Sequence, residues 1–144
     1  MVAFALLLLL SRFAAGDVPA SALTGDWLTS NKSVVHVFNC ESDHLCARVV
    51  TIGPKNEPQF DINNPDSALR SRAICGMTIG TAFTPDGAAA AKDGKIYDPE
   101  SGRTYSAKMQ LDGDTLNLRG FIGFSILGRT ESWHRTTAPA GACR

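Results

Sequence analysis

The sequence lacks net charge, long apolar stretches and recognisable catalytic motifs. Lys plus Arg number 14 and Asp plus Glu number 14, giving a formal charge of zero. Such a chain has no overall field to hold nucleic acid or an anionic membrane surface. Beyond residues 2–10, no apolar run approaches the roughly 20 residues that span a bilayer as a helix. Neither a phosphate-binding Gly loop nor a dinucleotide fingerprint occurs. His36, His44 and His134 show no His-x-x-x-His spacing, and structural or surface roles are expected for them. Gly123-Phe124-Ser125-Ile126-Leu127-Gly128 resembles a nucleophile elbow only superficially. Its second Gly comes one residue late, and no strand-to-helix turn is expected there. We therefore expect no catalytic residues, no metal and no cofactor.

What is present describes one globular domain. The 144 residues are 44% apolar and 19% charged, which is ordinary for a folded chain and unlike a disordered one. Thirteen Gly and seven Pro suit the many turns of an all-β fold. Val2 to Leu10 is an unbroken apolar run followed by small residues, Ala14-Ala15-Gly16, Val18-Pro19-Ala20 and Ala20-Ser21-Ala22. This pattern is that of a secretory signal, although no Lys or Arg precedes the run. Residues 1–22 are accordingly expected to be a signal peptide, with cleavage after Ala20 or Ala22. Residues 23–137 are expected to form the domain and residues 138–144 a flexible tail. No Cys sits near the cleavage region, so a lipoprotein anchor is not expected. The implied location is outside the cytoplasm, periplasmic or secreted.

Cys40, Cys46, Cys75 and Cys143 make an even number, which in an exported chain suggests disulfides. Cys40 and Cys46 flank a polar loop between two apolar segments. A bridge there would contribute about 2.4 kcal/mol in the chain-entropy model. The rival reading, a metal held by Cys40, His44 and Cys46, needs a fourth ligand that no nearby Cys or His supplies. The sequence leaves open whether Cys75 and Cys143 pair.

Eight β-like segments can be read: Gly25–Ser30, Ser33–Asn39, Leu45–Ile52, Gly76–Phe83, Gly94–Tyr97, Arg103–Leu111, Thr115–Ile122 and Arg129–Arg135. The sixth alternates most clearly, with Tyr105, Ala107, Met109 and Leu111 on one face and Ser106, Lys108 and Gln110 on the other. Asp112-Gly113 supplies a tight hairpin turn. One helix of about two turns is expected over Asp66–Arg72, with Asn64 as N-cap and Pro65 at its first position. Gly53–Asn63 reads as a loop and the Ala-rich stretch Thr84–Asp93 as a linker capping one end. Many short antiparallel strands joined by Gly turns suggest a sandwich or a closed barrel. We favour a small eight-stranded antiparallel barrel, because adjacent hairpins dominate and little chain remains for crossovers.

Several motifs occur in one order: Gly25-Asp26-Trp27, Asp61-Ile62-Asn63-Asn64-Pro65-Asp66, Leu69-Arg70-Ser71-Arg72, Cys75-Gly76, Lys95-Ile96-Tyr97-Asp98-Pro99, Ser101-Gly102-Arg103-Thr104-Tyr105, Leu118-Arg119-Gly120 and Gly128-Arg129-Thr130-Glu131-Ser132-Trp133. Over about residues 24–135 they resemble the bacterial exported family called domain of unknown function 2147, and the Cys40 to Cys46 spacing also fits that family. The resemblance implies a calycin-like, lipocalin-like barrel in the bacterial envelope and no assigned reaction. A looser likeness is to lipocalin-type barrels, which carry Gly-x-Trp on the first strand and a basic residue on the last. Here that pair would be Trp27 and Arg135, a structural latch worth roughly 0.5–2 kcal/mol.

Candidate site residues follow from these positions. Arg70, Arg72, Arg119 and Arg129 could grip a carboxylate or phosphate if they faced a barrel interior. The plainer reading is ion pairing with Asp61, Asp66, Asp98 or Glu131. Arg119 and Arg129 are the best placed for a pocket, beside Gly in short strands. Asp98 and Glu100 read as turn residues rather than an acid–base pair, while Tyr97 and Tyr105 would line one mouth. Trp133 reads as a wall or core aromatic more than as a ligand platform. Phe121-Ile122-Gly123-Phe124 reads as an apolar hairpin or rim.

The sequence thus points to a non-enzymatic module binding a small amphipathic or apolar, lipid-like ligand. Its rivals are a structural or protein-interaction domain with a filled core and, further off, a hydrolase.

Overall fold

The computed structural model describes residues 21–54, 58–123 and 128–143. Of the expected signal segment, residues 1–22, residues 1–20 lie outside the described residues. Eight strands follow in order: β1 (Gly25–Leu28), β2 (Val34–Asn39), β3 (Leu45–Thr51), β4 (Thr78–Pro85), β5 (Ala90–Asp98), β6 (Arg103–Asp112), β7 (Thr115–Phe121) and β8 (Arg129–Thr136). Each pairs antiparallel with the next, and β8 returns to β1, closing a barrel. Closure leaves no edge strand to be blunted.

The seam between β1 and β8 sets Trp27 opposite Arg135. The Trp27 indole is fully buried, and its Nε1–H donates to the Leu23 carbonyl at 2.9 Å. The Arg135 guanidinium lies 4.1 Å from the indole centroid and donates to the carbonyls of Ala22 (2.7 Å) and Thr24 (3.2 Å). Gly25 adopts φ +123°, and a Cβ there would stand 3.0 Å from Arg135 Nη1. The Gly-x-Trp motif therefore has a local cause. Glycine supplies both the backbone angle and the space in which the guanidinium reaches the ring.

Inward residues near this end fill the barrel. Leu23, Val37, Leu45, Phe83, Met109 and Leu116 are all essentially inaccessible to solvent. Phe83 dominates, and its ring lies against β5 at Gly94, where a Cβ would come within 2.3 Å of ring carbon Cδ1. A bulge between Ala91 and Gly94, with Asp93 at φ 59°, lets β5 bend around the ring.

Two sequence expectations differ from the structure. Thr84–Asp93 is no linker: β4 runs to Pro85 and β5 begins at Ala90. Ala91 is buried there, opposite Met109, so a small side chain is a packing choice rather than a loop signal. The two-turn helix shrinks to a single 3-10 turn, Ser67–Leu69, capped by Asp66. Asn64 does make a cap-like bond, its Oδ1 accepting the Asp66 N–H (2.9 Å), while its Nδ2 donates to Asp61 Oδ2 (2.8 Å).

Both cysteine pairs are joined, Cys40–Cys46 across the β2–β3 connection and Cys75–Cys143. The second ties the β3–β4 connection to the segment after β8. That segment crosses the outside of the barrel. The Ala138 N–H donates to Asp26 Oδ2 and the Cys143 N–H to the Val50 carbonyl, both at 2.8 Å. Val50, outward-facing on β3, is only 1% exposed as a result.

Gly94→Ala should lower stability by about 1–3 kcal/mol, because the added methyl collides with the Phe83 ring. Denaturant melts should show Gly94→Ala costing clearly less in a Phe83→Leu background, where the ring is gone.

Candidate functional site

A meander of this kind has two unlike ends. The short connections after β2, β4 and β6 gather at the end packed by Phe83 and Trp27. The connections after β1, β3, β5 and β7 gather at the other, where the filling stops. A cavity of about 390 Å³ opens there, within the size range of small-ligand sites. Val35, Val49, Ile79, Ile96 and Leu118 project into it from the strands, and Ile74 from the β3–β4 connection. Trp133, only 3% exposed, borders the packed half, while Tyr105 stands on the wall. Polar groups collect at the mouth: Thr29 to Ser33 without Lys32 on the β1–β2 turn, Asp98 and Glu100 near the β5–β6 turn, and Arg129 with Glu131 on β8.

The long β3–β4 connection is held to the mouth by one buried acid. Asp61 is fully buried. One of its carboxylate oxygens accepts the Tyr97 hydroxyl, and the other accepts Asn64 Nδ2 and Arg72 Nη2, each at 2.8 Å. Asn63 extends the attachment, its Nδ2 donating to the carbonyls of Glu100 (2.9 Å) and Pro99 (3.1 Å). Phe60 and Ile62, on either side of Asp61, face solvent at 52% and 59% exposure. The local alternation is thus inverted, with the charge inside and the apolar groups outside.

Burial pushes the Asp61 carboxyl up, but the hydrogen bonds from Tyr97, Asn64 and Arg72 and the Arg72 charge outweigh it. The group ends below its ordinary value of 3.8. Tyr97 moves the other way, to about 12, through burial first and then through its hydrogen bond to, and the charge of, Asp61.

Of the residues singled out from sequence, Arg129, Tyr97, Tyr105 and Trp133 line the cavity. Arg119 does not. Leu118 and Gly120 face inward, so Arg119 faces out, its Nη1 donating to Thr130 Oγ1 at 3.1 Å. Arg70 also lies off the lining, its Nε donating to the Asn64 carbonyl at 2.8 Å. The ion-pair reading holds for Arg72 with Asp61. Ile122 is 63% exposed at the end of the β7–β8 hairpin, and Phe124 lies outside the described residues. His36 Nδ1 meets Asp26 Oδ1 at 2.7 Å, a pairing that sequence spacing did not indicate. Among the described residues no cluster of His, Cys, Asp or Glu could hold a metal. The sequence reading assigned Asp61 only to an ion pair. A lone acid between Phe60 and Ile62 in an otherwise polar loop was the available signal.

Asp61→Ala should cost about 2–3 kcal/mol at neutral pH, since it strands Tyr97 and Arg72, the latter partly solvated. The pH dependence follows from the two shifts. The Asp61 contribution is full above about 3.8 and is lost as pH falls through the lowered value. The Tyr97 contribution is full below 10.0 and is lost as pH rises towards about 12. Melts across pH should show the gap between wild type and variant widest between these limits.

Comparison with known proteins agrees with the barrel. The solved structure described as "Protein HP1028 from the human pathogen Helicobacter pylori belongs to the lipocalin family" superposes with a TM-score of 0.73 at 22% identity, covering 82% of this chain and 85% of that one. At this identity the likeness establishes a shared lipocalin-like fold. No curated protein matches the chain. A family model does, over residues 25–135, which span β1 to all but the last residue of β8, and the chain belongs to that bacterial family, described as "Uncharacterized protein conserved in bacteria (DUF2147)".

Proposed function

We propose that the protein is an exported binding protein of the bacterial envelope that holds a small amphipathic or apolar molecule in the open half of its barrel. The observation that carries this reading is the uneven filling of the interior. One half is packed solid around Phe83 and Trp27, while the other keeps a cavity of about 390 Å³ with apolar walls and a polar mouth. A void of this size forfeits packing contacts unless something occupies it. An apolar tail against Val35, Ile79, Ile96 and Leu118, with a polar group at the mouth, would restore them.

Two further observations support the reading. Both disulfides fit an oxidising compartment, in keeping with an export signal over residues 1–22. Asp61 and Tyr97, both titratable groups near the cavity, bond to each other, and Asp61 also holds Asn64 and Arg72. Their chemistry is spent on holding the β3–β4 connection in place. The protein would act by holding a molecule rather than by turning it over.

Native mass spectrometry of protein purified from its own envelope should reveal a retained small molecule, and a fluorescent apolar probe should bind the emptied barrel. Gly120 faces the cavity, and a Cβ there meets nothing closer than 3.6 Å. Gly120→Leu should therefore fold, and by occupying the cavity should weaken probe binding at least about tenfold, roughly 1.4 kcal/mol. Undiminished probe binding by this folded variant would place the site elsewhere.

A further inference from the structure

The charges on the described residues that line the cavity are unequal, and the inequality bears on what the ligand's polar end can be. Among the described lining residues the charged ones are Asp98, Glu100, Arg129 and Glu131, and none lies among the inward-facing groups deeper in the cavity. Within that described lining, three carboxylates thus face one guanidinium. Among the described residues none of the four belongs to an ion pair. Two of the carboxylates are positioned by the protein. Asp98 Oδ1 accepts the Glu100 N–H at 3.0 Å, and Glu131 Oε2 accepts the Trp133 indole N–H at 3.3 Å. Among the described residues, each of these two leaves its second oxygen without a protein donor. Asp98 ends β5 and Glu131 lies on β8, three strands further round the wall, so negative charge stands on separated parts of the rim. Arg129 is two residues from Glu131 on the same face of β8, which offsets its pull on an anion.

We propose that the mouth selects an amphiphile with a cationic head, such as an alkyl ammonium, over one with a carboxylate head. The inference rests on the binding reading above and specifies its ligand class. The tail would lie against the apolar walls, and the ammonium N–H donors would meet the free oxygens of Asp98 and Glu131. A carboxylate head would meet Arg129 but also three like charges, beside a low-dielectric interior that strengthens the repulsion. The preference must stay modest, because the groups are partly solvated and salt screens them.

The test uses the full disulfide-bonded chain and displacement of a bound fluorescent apolar probe by decylamine, decanol and decanoate at neutral pH and low salt. Decylamine should bind roughly fivefold tighter than decanoate, with decanol between them. Raising the salt should shrink the gap. The pair Asp98→Asn and Glu131→Gln keeps the oxygens that accept the Glu100 N–H and the Trp133 indole, and should bring the two affinities to within about twofold. Should that double variant fail to fold, Arg129→Gln alone should widen the wild-type gap. Decanoate binding as tightly as decylamine, or tighter, overturns the proposal, as does displacement by decanol alone; in both cases the binding reading survives. If none of the three displaces the probe, the binding reading itself falls and this inference with it.

Discussion

The fold depends on the seam where β8 meets β1. Hydrogen bonding around the wall is complete only if the last strand finds the first, more than 100 residues away in sequence. Trp27 and Arg135 lie on that seam. The indole fills the end of the barrel, and the guanidinium covers its face while satisfying two carbonyls of the entering chain. A cation over an aromatic face adds to the backbone pairing, and Gly25 makes the approach sterically feasible. Everything enclosed by the wall, solid half and hollow half alike, presupposes this closure.

The interior then divides. Large side chains from β3, β4, β6 and β7 converge on one half, and Phe83 is accommodated by removing side-chain bulk opposite it at Gly94. In the other half the strands contribute mainly Val, Ile and Leu, with Tyr105 on the wall and one Gly, and a cavity is left between them. Such uneven packing is costly for stability alone and useful for holding a guest, as at many sites where local consistency gives way.

Strand positions were legible in the sequence because turns and alternation are local. Arg103–Leu111 alternates cleanly, Asp112-Gly113 marks its turn, and the observed strand, Arg103–Asp112, differs by one residue. Where small residues served distant packing, local reading failed. Ala90 and Ala91 look like linker chemistry, yet with Gly94 they belong to the strand that accommodates Phe83 and Met109. The mouth was half legible. Tyr97, Tyr105, Arg129 and Trp133 belong to the cavity lining, whereas the sides taken by Arg119 and Arg70 depend on register and on a loop whose anchor is buried. Asp61 was the hardest to see, because its partners Tyr97 and Arg72 lie 36 and 11 residues away.

The Cys75–Cys143 bridge imposes an order on assembly. Between its two sulfurs lie all of β4 to β8, five of the eight staves. A chain made from its N-terminus must deliver the whole of that stretch before the covalent tie can form. The long connection between β3 and β4 can therefore be fastened covalently only once every strand of the wall has been synthesised.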